Sequence, residues 1–394
     1  MYRTKMKLLK GLAMVLPFPK PTMFSGPDSS LRLCEAMADV GTRRVLLVTD
    51  AMLVELGLLE RIQARLSELG IEHVVFDGIK PDPAVEQIEA GLQALQANDC
   101  DAVLAVGGGS SIDAAKVIAA RATNNKPVAK MEGLFRVFRA TLPLYAVPTT
   151  AGTGSEVTVA AVVSDPAKRR KYSVIDPKLV PAMAALDSTL MTGLPAPITA
   201  ATGMDALTHA VEAYISRNAL DETDRHSLAA VRLIMKHLPR VMEQGDDLEA
   251  RQAMAMASYY AAAAFTRAGV GYVHAVSHNF GAYYHTPHGR ANAIVLPYVL
   301  EYSLPSCARR LAELAAAAGL GNDSDADEAR ARLFIDRIRS MNASFGIPDK
   351  LDDLKDSDIP AIAKAAVKEA HSTYAVPRYM DRPACEALVR QMLV

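Results

Sequence analysis

Three short apolar runs alternate with helical periodicity between residues 43 and 122, and this rhythm constrains the fold more than any other feature. The runs are RRVLLVTD at 43–50, EHVVFDGI at 72–79 and DAVLAVGGG at 101–109. They are largely continuous apolar stretches, which is typical of strands buried on both faces. Helical spacing fills roughly 53–69, 83–98 and 110–122. The alternation predicts a parallel sheet covered by helices, with further strands at 142–150 and 157–165.

The character of the sequence changes near residue 190. A segment punctuated by Pro and Gly, TLMTGLPAPITA, is followed by Ala-, Leu- and Met-rich stretches with helical spacing, such as 203–215, 226–238 and 331–342. Runs rich in Val, Ile and Thr disappear there. We therefore predict an α/β domain over 1–190 and an all-helical domain over 191–394.

Charge and cysteine content narrow the function classes. The chain has 43 basic and 44 acidic residues, a net charge of -1, so no global field favours nucleic acid or an anionic membrane. No run approaches the ~20 apolar residues that span a bilayer, and the short apolar stretch at 11–16 is broken by prolines without a cleavage site. Four cysteines without CxxC spacing indicate a reducing compartment, and we expect a cytoplasmic protein.

A glycine turn lies where the third strand passes into its helix. Gly107, Gly108 and Gly109 allow close backbone approach to a ligand, and Ser110 and Ser111 are good N-cap residues. The amides at a helix N-terminus suit a pyrophosphate, so we favour a phosphate-binding turn over a simple tight turn. The motif is neither GxGxxG in a first βα turn nor a P-loop.

Two further features could complete a nucleotide site. Asp50 ends the first clear strand, where a carboxylate can accept hydrogen bonds from an adenosine ribose and would repel a 2′-phosphate. A helix N-cap is nearly as plausible a role for this residue. The second feature is the loop PTTAGTGSEVT at 148–158, whose hydroxyls and amides follow another strand.

Histidines concentrate in the second half of the chain and give the strongest chemical signal. Asp205 and His209 are spaced i and i+4, so they share one face of a predicted helix. His274 and His278 have the same spacing, and His285 and His288 follow, with Pro287 expected to end that helix. A carboxylate and several imidazoles on facing helices indicate a first-row metal site. The spacing does not decide which of the four later histidines bind the metal.

At this point the chain resembles the iron-containing (group III) alcohol dehydrogenases, from about Pro21 to the C-terminus. These share a fold class with glycerol dehydrogenase and dehydroquinate synthase. The resemblance rests on four stretches together: GGGSSIDAAK (107–116), PTTAGTGSEVT (148–158), GMDALTHAVEAY (203–214) and GYVHAVSHNFGAYYHTPHGRANAIVLP (271–297).

The resemblance implies roles for individual residues. It implies that one divalent metal, iron before zinc, is ligated by Asp205, His209, His274 and His288, and that His278 lines the same pocket. It implies a homodimer and NAD contacts from Asp50, Gly108, Gly109, Ser110, Thr149, Thr150, Thr153 and Lys171. Phe265 matches a position that walls the substrate pocket, and the small Ala160 leaves room there for bulkier or more apolar substrates.

The leading hypothesis is an NAD-linked alcohol dehydrogenase or aldehyde reductase acting on a small alcohol or aldehyde. A divalent metal makes an alcohol more acidic, and His278 is our candidate proton relay, with an orienting role about equally plausible. A glycerol or diol dehydrogenase is a narrower alternative. A dehydroquinate synthase-type lyase needs several basic groups near the metal, whereas 258–289 has only Arg267. A non-catalytic metal-binding module is the third possibility.

Overall fold

The structure is a computed structural model that describes residues 19–166 and 170–394. These residues form two compact units, one running to Gly193 and the other from Leu194 to Val394. The apolar stretch at 11–16 lies outside the described residues. None of the described helices combines the length and apolar character needed to cross a bilayer.

The first unit is built on a six-stranded parallel sheet, as the sequence predicts. Its strands, in spatial order, are β3 (Glu72–Phe76), β2 (Arg44–Val48), β4 (Ala102–Gly107), β6 (Leu144–Pro148), β9 (Met183–Leu186) and β1 (Thr22–Ser25). The central strands β4 and β6 are buried at every position, which explains their continuous apolar sequence. A second sheet contains β5 (Gly133–Leu134), β8 (Arg170–Ile175) and β7 (Ala160–Asp165).

Five helices accompany the main sheet: α1 (Ser29–Asp39), α2 (Ala51–Glu55), α3 (Glu60–Glu68), α4 (Val85–Ala97) and α5 (Gly109–Thr123). The single helix expected over 53–69 is two short ones, because Gly57 takes the left-handed conformation (φ +69°) between them. The strand expected from 157 begins at Ala160, since Ser155–Val157 form a 3₁₀ turn after Gly154. Apolar clusters pack on both faces of the sheet.

All regular elements of the described part of the second unit, Leu194–Val394, are helical. The α-helices are α6 (Ala196–Ile215), α7 (Asp221–Glu243), α8 (Leu248–Ala268), α9 (Tyr272–Tyr284), α10 (His288–Ala317), α11 (Asp327–Ser344), α12 (Ile359–Thr373) and α13 (Arg382–Arg390). Helix α6 packs against α7, α8 and α10, and α9 packs against α10 and α12. Every residue from Gly203 to Ile215 is therefore buried, including the polar ones.

The break between α9 and α10 lies near Pro287, but the helix expected to end at this proline ends three residues earlier. Helix α9 ends at Tyr284, and His285 adopts the left-handed conformation (φ +55°). Pro287 precedes the first residue of α10, His288. Proline suits the start of a helix because its missing N–H would have no intrahelical partner there. The change in chain direction between the two helices lets His274 and His288 approach one group of residues from different elements.

Candidate metal centre and cofactor site

Three helices bring one carboxylate and three imidazoles together. Asp205 and His209 lie one turn apart on α6, His274 lies on the first turn of α9, and His288 begins α10. Oδ1 of Asp205 lies 4.0 Å from Nε2 of His209, 4.0 Å from Nε2 of His274 and 3.6 Å from Nε2 of His288. The first three residues are buried, whereas the His288 side chain is 40% exposed. The cluster therefore has a buried base and one accessible side.

Gly289 explains how α10 can begin so close to α6. A Cβ atom on this residue would overlap the backbone oxygen of Ala201 and lie 3.3 Å from Cβ of Asp205. Only glycine permits such an approach of two helix backbones. The His–Gly pair at 288–289 is thus a local requirement for placing His288 beside Asp205.

Asn292, one turn after His288, is fully buried at the centre of the cluster. Its Nδ2 lies 2.6 Å from Oδ1 of Asp205, 3.2 Å from Nε2 of His274 and 3.1 Å from Nε2 of His288. Its Oδ1 is buried without a hydrogen-bond partner. Oδ1 of Asp205 and the Nε2 atoms of His274 and His288 thus converge on one small region. In this structure the Nδ2 amide group of Asn292 lies within that region.

Glu212 supports the cluster from behind, one turn after His209 on α6. Oε2 of Glu212 lies 2.6 Å from Nδ1 of His274, and its Oε1 accepts a hydrogen bond of 2.7 Å from the Val273 amide. Burial raises the pKa of Glu212 to about 7. Burial, followed by the neighbouring histidines, holds the pKa of His274 well below its usual 6.5. A neutral His274 that donates its Nδ1 proton to Glu212 has an unprotonated Nε2, and this nitrogen lies 4.0 Å from Oδ1 of Asp205.

These residues fit a divalent transition metal. Two bonds of about 2.1 Å span at most about 4.2 Å between their ligand atoms, and the measured separations from Asp205 are 3.6–4.0 Å. One carboxylate with neutral imidazoles suits Fe(II), Zn(II), Mn(II) or Co(II). The donor set does not discriminate among these ions.

The other two histidines of the segment have different surroundings. The ring of His278 stacks on that of His288 with centroids 5.4 Å apart, and its Nδ1 lies 2.8 Å from Oε1 of Glu369. Burial alone would raise the pKa of Glu369, but the hydrogen bonds from His278 and Tyr374 and the nearby imidazoles of His278 and His288 together outweigh it, so the net pKa is lowered. His285, the last residue of the α9 cap, is exposed and makes none of the cluster's contacts described above.

The two residues predicted to line a substrate pocket lie in different units. The ring of Phe265 stacks on His209 at 4.2 Å between centroids, so it covers one face of a cluster histidine. Ala160 is the first residue of β7, and its carbonyl accepts a hydrogen bond of 2.8 Å from Nζ of Lys116.

In the first unit, the predicted cofactor residues other than Lys171, which lies on β8 of the second sheet, follow strands of the main sheet at its carboxyl edge. Strands β2 and β4 are neighbours in the sheet. After β2 the chain continues to β3 on one side of this pair, and after β4 it continues to β6 on the other side. Such a switch in strand order opens a crevice at the carboxyl ends, where dinucleotides bind in doubly wound folds. Asp50 follows β2 and the glycine turn follows β4.

The loop after β6 packs directly on the glycine turn. The Thr149 amide donates to the Gly107 carbonyl at 3.0 Å. A Cβ atom on Gly109 would lie 2.8 Å from the Thr153 side chain, so this glycine is required by packing. A Cβ atom on Gly108 would meet only Thr150, at the ordinary distance of 3.7 Å. The fold therefore does not itself require glycine at 108.

Three local roles differ from or refine the sequence expectations. Helix α5 begins at Gly109 with Gly108 as its N-cap residue, so Ser110 and Ser111 lie inside the helix rather than capping it. Ser110 instead accepts a hydrogen bond from the Asp82 amide. Asp50 caps α2 by accepting from the Leu53 amide at 3.2 Å, which is the structural alternative considered for it.

Two lysines tie the β7–β8 hairpin to its surroundings. Nζ of Lys171 lies 2.7 Å from a carboxylate oxygen of Asp82. Nζ of Lys116, fully buried, donates to the Thr158 carbonyl and hydroxyl and to the Ala160 carbonyl at 2.8–2.9 Å. Lys116 thus holds the end of the 148–158 loop against α5.

Sequence reasoning missed three residues of the metal cluster's surroundings. Glu212 follows Asp205 by seven residues and Asn292 follows His288 by four, so helical spacing could have found both. Glu369 lies 91 residues from His278 and had no local signal.

A parallel sheet with a switch in strand order and a helical unit with a carboxylate–imidazole cluster together define the class of protein as a metal-dependent enzyme that uses a dinucleotide. Comparison with known families identifies the class more closely. The model of iron-containing alcohol dehydrogenases matches residues 20–188, and that of the C-terminal region of the Fe-containing alcohol dehydrogenase family matches 199–393. The chain belongs to the iron-containing alcohol dehydrogenase family.

Individual relatives agree with this membership. The chain is 37% identical over 354 residues to the NAD-dependent methanol dehydrogenase of Bacillus methanolicus, covering 89% of this chain and 93% of that protein. It is 38% identical over 372 residues to a 1,3-propanediol dehydrogenase of Citrobacter freundii, covering 93% and 96%. It resembles the solved structure of an alcohol dehydrogenase from Oenococcus oeni with a TM-score of 0.93 at 33% identity, covering 96% of this chain and all of that one.

Proposed function

We propose that this protein is a metal-dependent, NAD(H)-linked alcohol dehydrogenase and aldehyde reductase. The observation that carries the proposal is the convergence of the Nε2 atoms of His209, His274 and His288, each 3.6–4.0 Å from Oδ1 of Asp205. Family membership and the named activities of the relatives support it. The relatives named above act on methanol and on 1,3-propanediol, so the substrate class is small primary alcohols and the corresponding aldehydes.

The residues of the second unit divide into holding and supporting groups. Asp205, His209, His274 and His288 hold the metal, Fe(II) before Zn(II) on family membership. A bound divalent cation acts as a Lewis acid that makes an alcohol hydroxyl easier to ionise or polarises a carbonyl. Glu212 keeps Nε2 of His274 bare, and the accessible side at His288 leaves room for substrate. Phe265 covers His209 and would limit substrate size on that side.

Proton transfer falls to His278 in this proposal. Its side chain is 39% exposed and its ring stacks on that of His288, so it can exchange protons with water beside the metal-holding residues. The alternative is that His278 only orients other groups. Replacing His278 should then leave the metal content unchanged, as in the proton-transfer role, but should lower turnover less.

The cofactor is NAD(H), held by the first unit. Gly108 and Gly109 offer the N-terminus of α5 to the pyrophosphate, and Thr149, Thr150 and Thr153 line the same turn. Ser110 and Lys171 extend the site on the Asp82 side. Asp50 at the end of β2 selects NAD over NADP, because its carboxylate repels a 2′-phosphate.

The test is an absorbance assay of NADH with alcohols and aldehydes of increasing chain length, including glycerol and diols. The protein is purified metal-free and then loaded with Fe(II) without oxygen, or with Zn(II). We expect turnover only after loading, with NAD strongly preferred over NADP. Absence of NAD(H)-linked turnover under every loading condition would refute the proposal, and activity of the metal-free protein would refute the role of the metal.

Two further properties are part of the proposal. All four cysteines are buried free thiols, which suits a reducing cytoplasm. We also propose a homodimer, on the family resemblance alone, which sedimentation velocity would check.

A further inference from the structure

Glu369 is placed to control a residue that the proposed chemistry needs. It lies on α12, and His278 lies on α9, the helix packed against it. Oε1 of Glu369 is 2.8 Å from Nδ1 of His278, and the same oxygen accepts a hydrogen bond of 2.6 Å from the Tyr374 hydroxyl. Tyr374 is the residue that follows α12. Three side chains thus form a hydrogen-bonded row, Tyr374–Glu369–His278.

The row fixes which nitrogen of His278 carries its proton. An ionised carboxylate can only accept hydrogen bonds, so Nδ1 of a neutral His278 must be the donor. In a neutral imidazole the other nitrogen is then bare and can accept a proton. The nitrogen left for substrate is Nε2, and the ring that bears it stacks on His288.

Tyr374 makes the arrangement more specific than a surface ion pair. Its donation to Oε1 limits the rotation of the Glu369 carboxylate, which would otherwise be free to turn away from His278. The Glu369 side chain is only 33% exposed, so water competes less for its oxygens than at an open surface. A carboxylate that orients an imidazole in this way is a recurrent device for fixing its tautomer.

We propose that Glu369 is a positioning residue, which holds His278 in the tautomer with a bare Nε2 so that this nitrogen can take the hydroxyl proton of the alcohol. The inference rests on the proposed function. In the oxidation, the O–H proton passes to Nε2 and the C–H hydride passes to the nicotinamide, leaving a carbonyl. In the reduction, Nε2 returns the proton.

The experiment compares Glu369→Gln and Glu369→Ala with a matched control, Glu313→Gln. Glu313 also accepts a 2.6 Å hydrogen bond from a tyrosine, Tyr214, in the same unit, but it has no histidine partner among its described hydrogen bonds. We expect both Glu369 variants to lower kcat about 10- to 100-fold with the alcohol KM changed less than about threefold. Metal content and melting temperature should stay close to the wild type, and Glu313→Gln should leave kcat unchanged.

Two readouts separate positioning from a structural role. In a His278→Ala background, Glu369→Ala should lower kcat less than about twofold further, because the group it positions is gone. Ring ¹⁵N shifts of His278 in the Zn(II)-loaded protein should show one tautomer in the wild type and a mixture in Glu369→Ala. Equal losses of kcat in both backgrounds, an unchanged kcat, loss of metal, or unchanged ¹⁵N shifts would overturn the inference.

The ¹⁵N measurement does not depend on turnover. If the wild type has no NAD(H)-linked activity, the proposed function fails, while the shifts still decide whether Glu369 sets the tautomer of His278.

Discussion

Nδ1 of His274 lies 2.6 Å from a carboxylate oxygen of Glu212, and both side chains are almost completely buried. The contact joins α6 and α9, the two helices that also carry Asp205, His209 and His274. Glu212 therefore does two things at once: it fixes the ring orientation of a metal-holding histidine and it ties together the helices that form the cluster.

Replacing Glu212 should weaken the binding of the metal ion. We expect Glu212→Gln to reduce the affinity for Zn(II) or Fe(II) about 10- to 100-fold, the usual effect of losing a carboxylate behind a ligating histidine. Competition with a chromophoric chelator measures this affinity directly. Glu328→Gln, which removes an exposed partner of Arg332 in the same unit, is the control and should leave affinity unchanged.

Three histidines from one segment should behave in three different ways. His274→Ala should abolish stoichiometric metal binding and activity, because Nε2 of His274 faces Asp205. His278→Ala should retain metal but lower turnover about 100-fold or more, as loss of a proton-transferring group does. His285→Ala should change neither, since this exposed residue is outside the cluster.

Elemental analysis and kcat on each purified variant distinguish the three cases. Loss of metal in His278→Ala would make that residue a ligand, and full activity in it would remove it from the chemistry.

The spacing of residues along the sequence predicted much of this site. The i and i+4 pair at 205 and 209 does share a helix face, and the break before His288 lies near the proline. The continuous apolar runs predicted the parallel sheet. A strand that is covered on both faces has no solvent-exposed side, so its sequence does not alternate between apolar and polar residues.

What spacing could not supply was the meeting of distant segments. The approach of α10 to α6 depends on the missing side chain of Gly289, and the partnership of Glu369 with His278 on packing between α9 and α12. Both are tertiary facts about residues far apart in the chain. The predicted N-caps of α5, Ser110 and Ser111, lie two and three residues after the observed one, because the extended backbone at Gly108, rather than a serine side chain, begins the helix.

Alanine substitutions at the adjacent residues Gly108 and Gly109 should distinguish an effect on cofactor binding from an effect on folding. Gly109→Ala should lower the melting temperature, because its Cβ would lie 2.8 Å from Thr153. Gly108→Ala should fold normally, since its φ of -74° suits alanine and its nearest contact is 3.7 Å. If the pyrophosphate approaches this backbone, the added methyl should raise the Kd for NAD about tenfold or more. Isothermal titration with NAD and thermal melts of both variants provide the comparison, and an unchanged Kd in Gly108→Ala would contradict the phosphate-binding role of the turn.

Buried charges beside the cofactor loop should give the first unit a defined pH dependence. Burial raises the pKa of Glu156 from 4.5 to about 7 and lowers the pKa of Lys116 from 10.5 to about 8. The folded state thus holds the Glu156 proton to higher pH than the unfolded chain does. Its contribution to the free energy of unfolding is fully present below pH 4.5 and is lost as pH rises through about 7. Lys116 acts in the opposite sense, adding stability only as pH rises above about 8.

Glu156→Gln removes the first of these effects and isolates it. The difference in free energy of unfolding between this variant and the wild type should move in favour of the variant between pH 5 and 7, by up to about 3 kcal/mol at 1.36 kcal/mol per pKa unit, and level off by pH 8. Comparing the two proteins is necessary because burial also raises the pKa of Asp113 nearby. Glu132→Gln, at a partly exposed pair with Arg170, should show no such trend. Denaturant melts of the three proteins at pH 5, 6, 7 and 8 test the prediction, and a difference between variant and wild type that is independent of pH would mean that Glu156 stays ionised in the folded protein throughout this range.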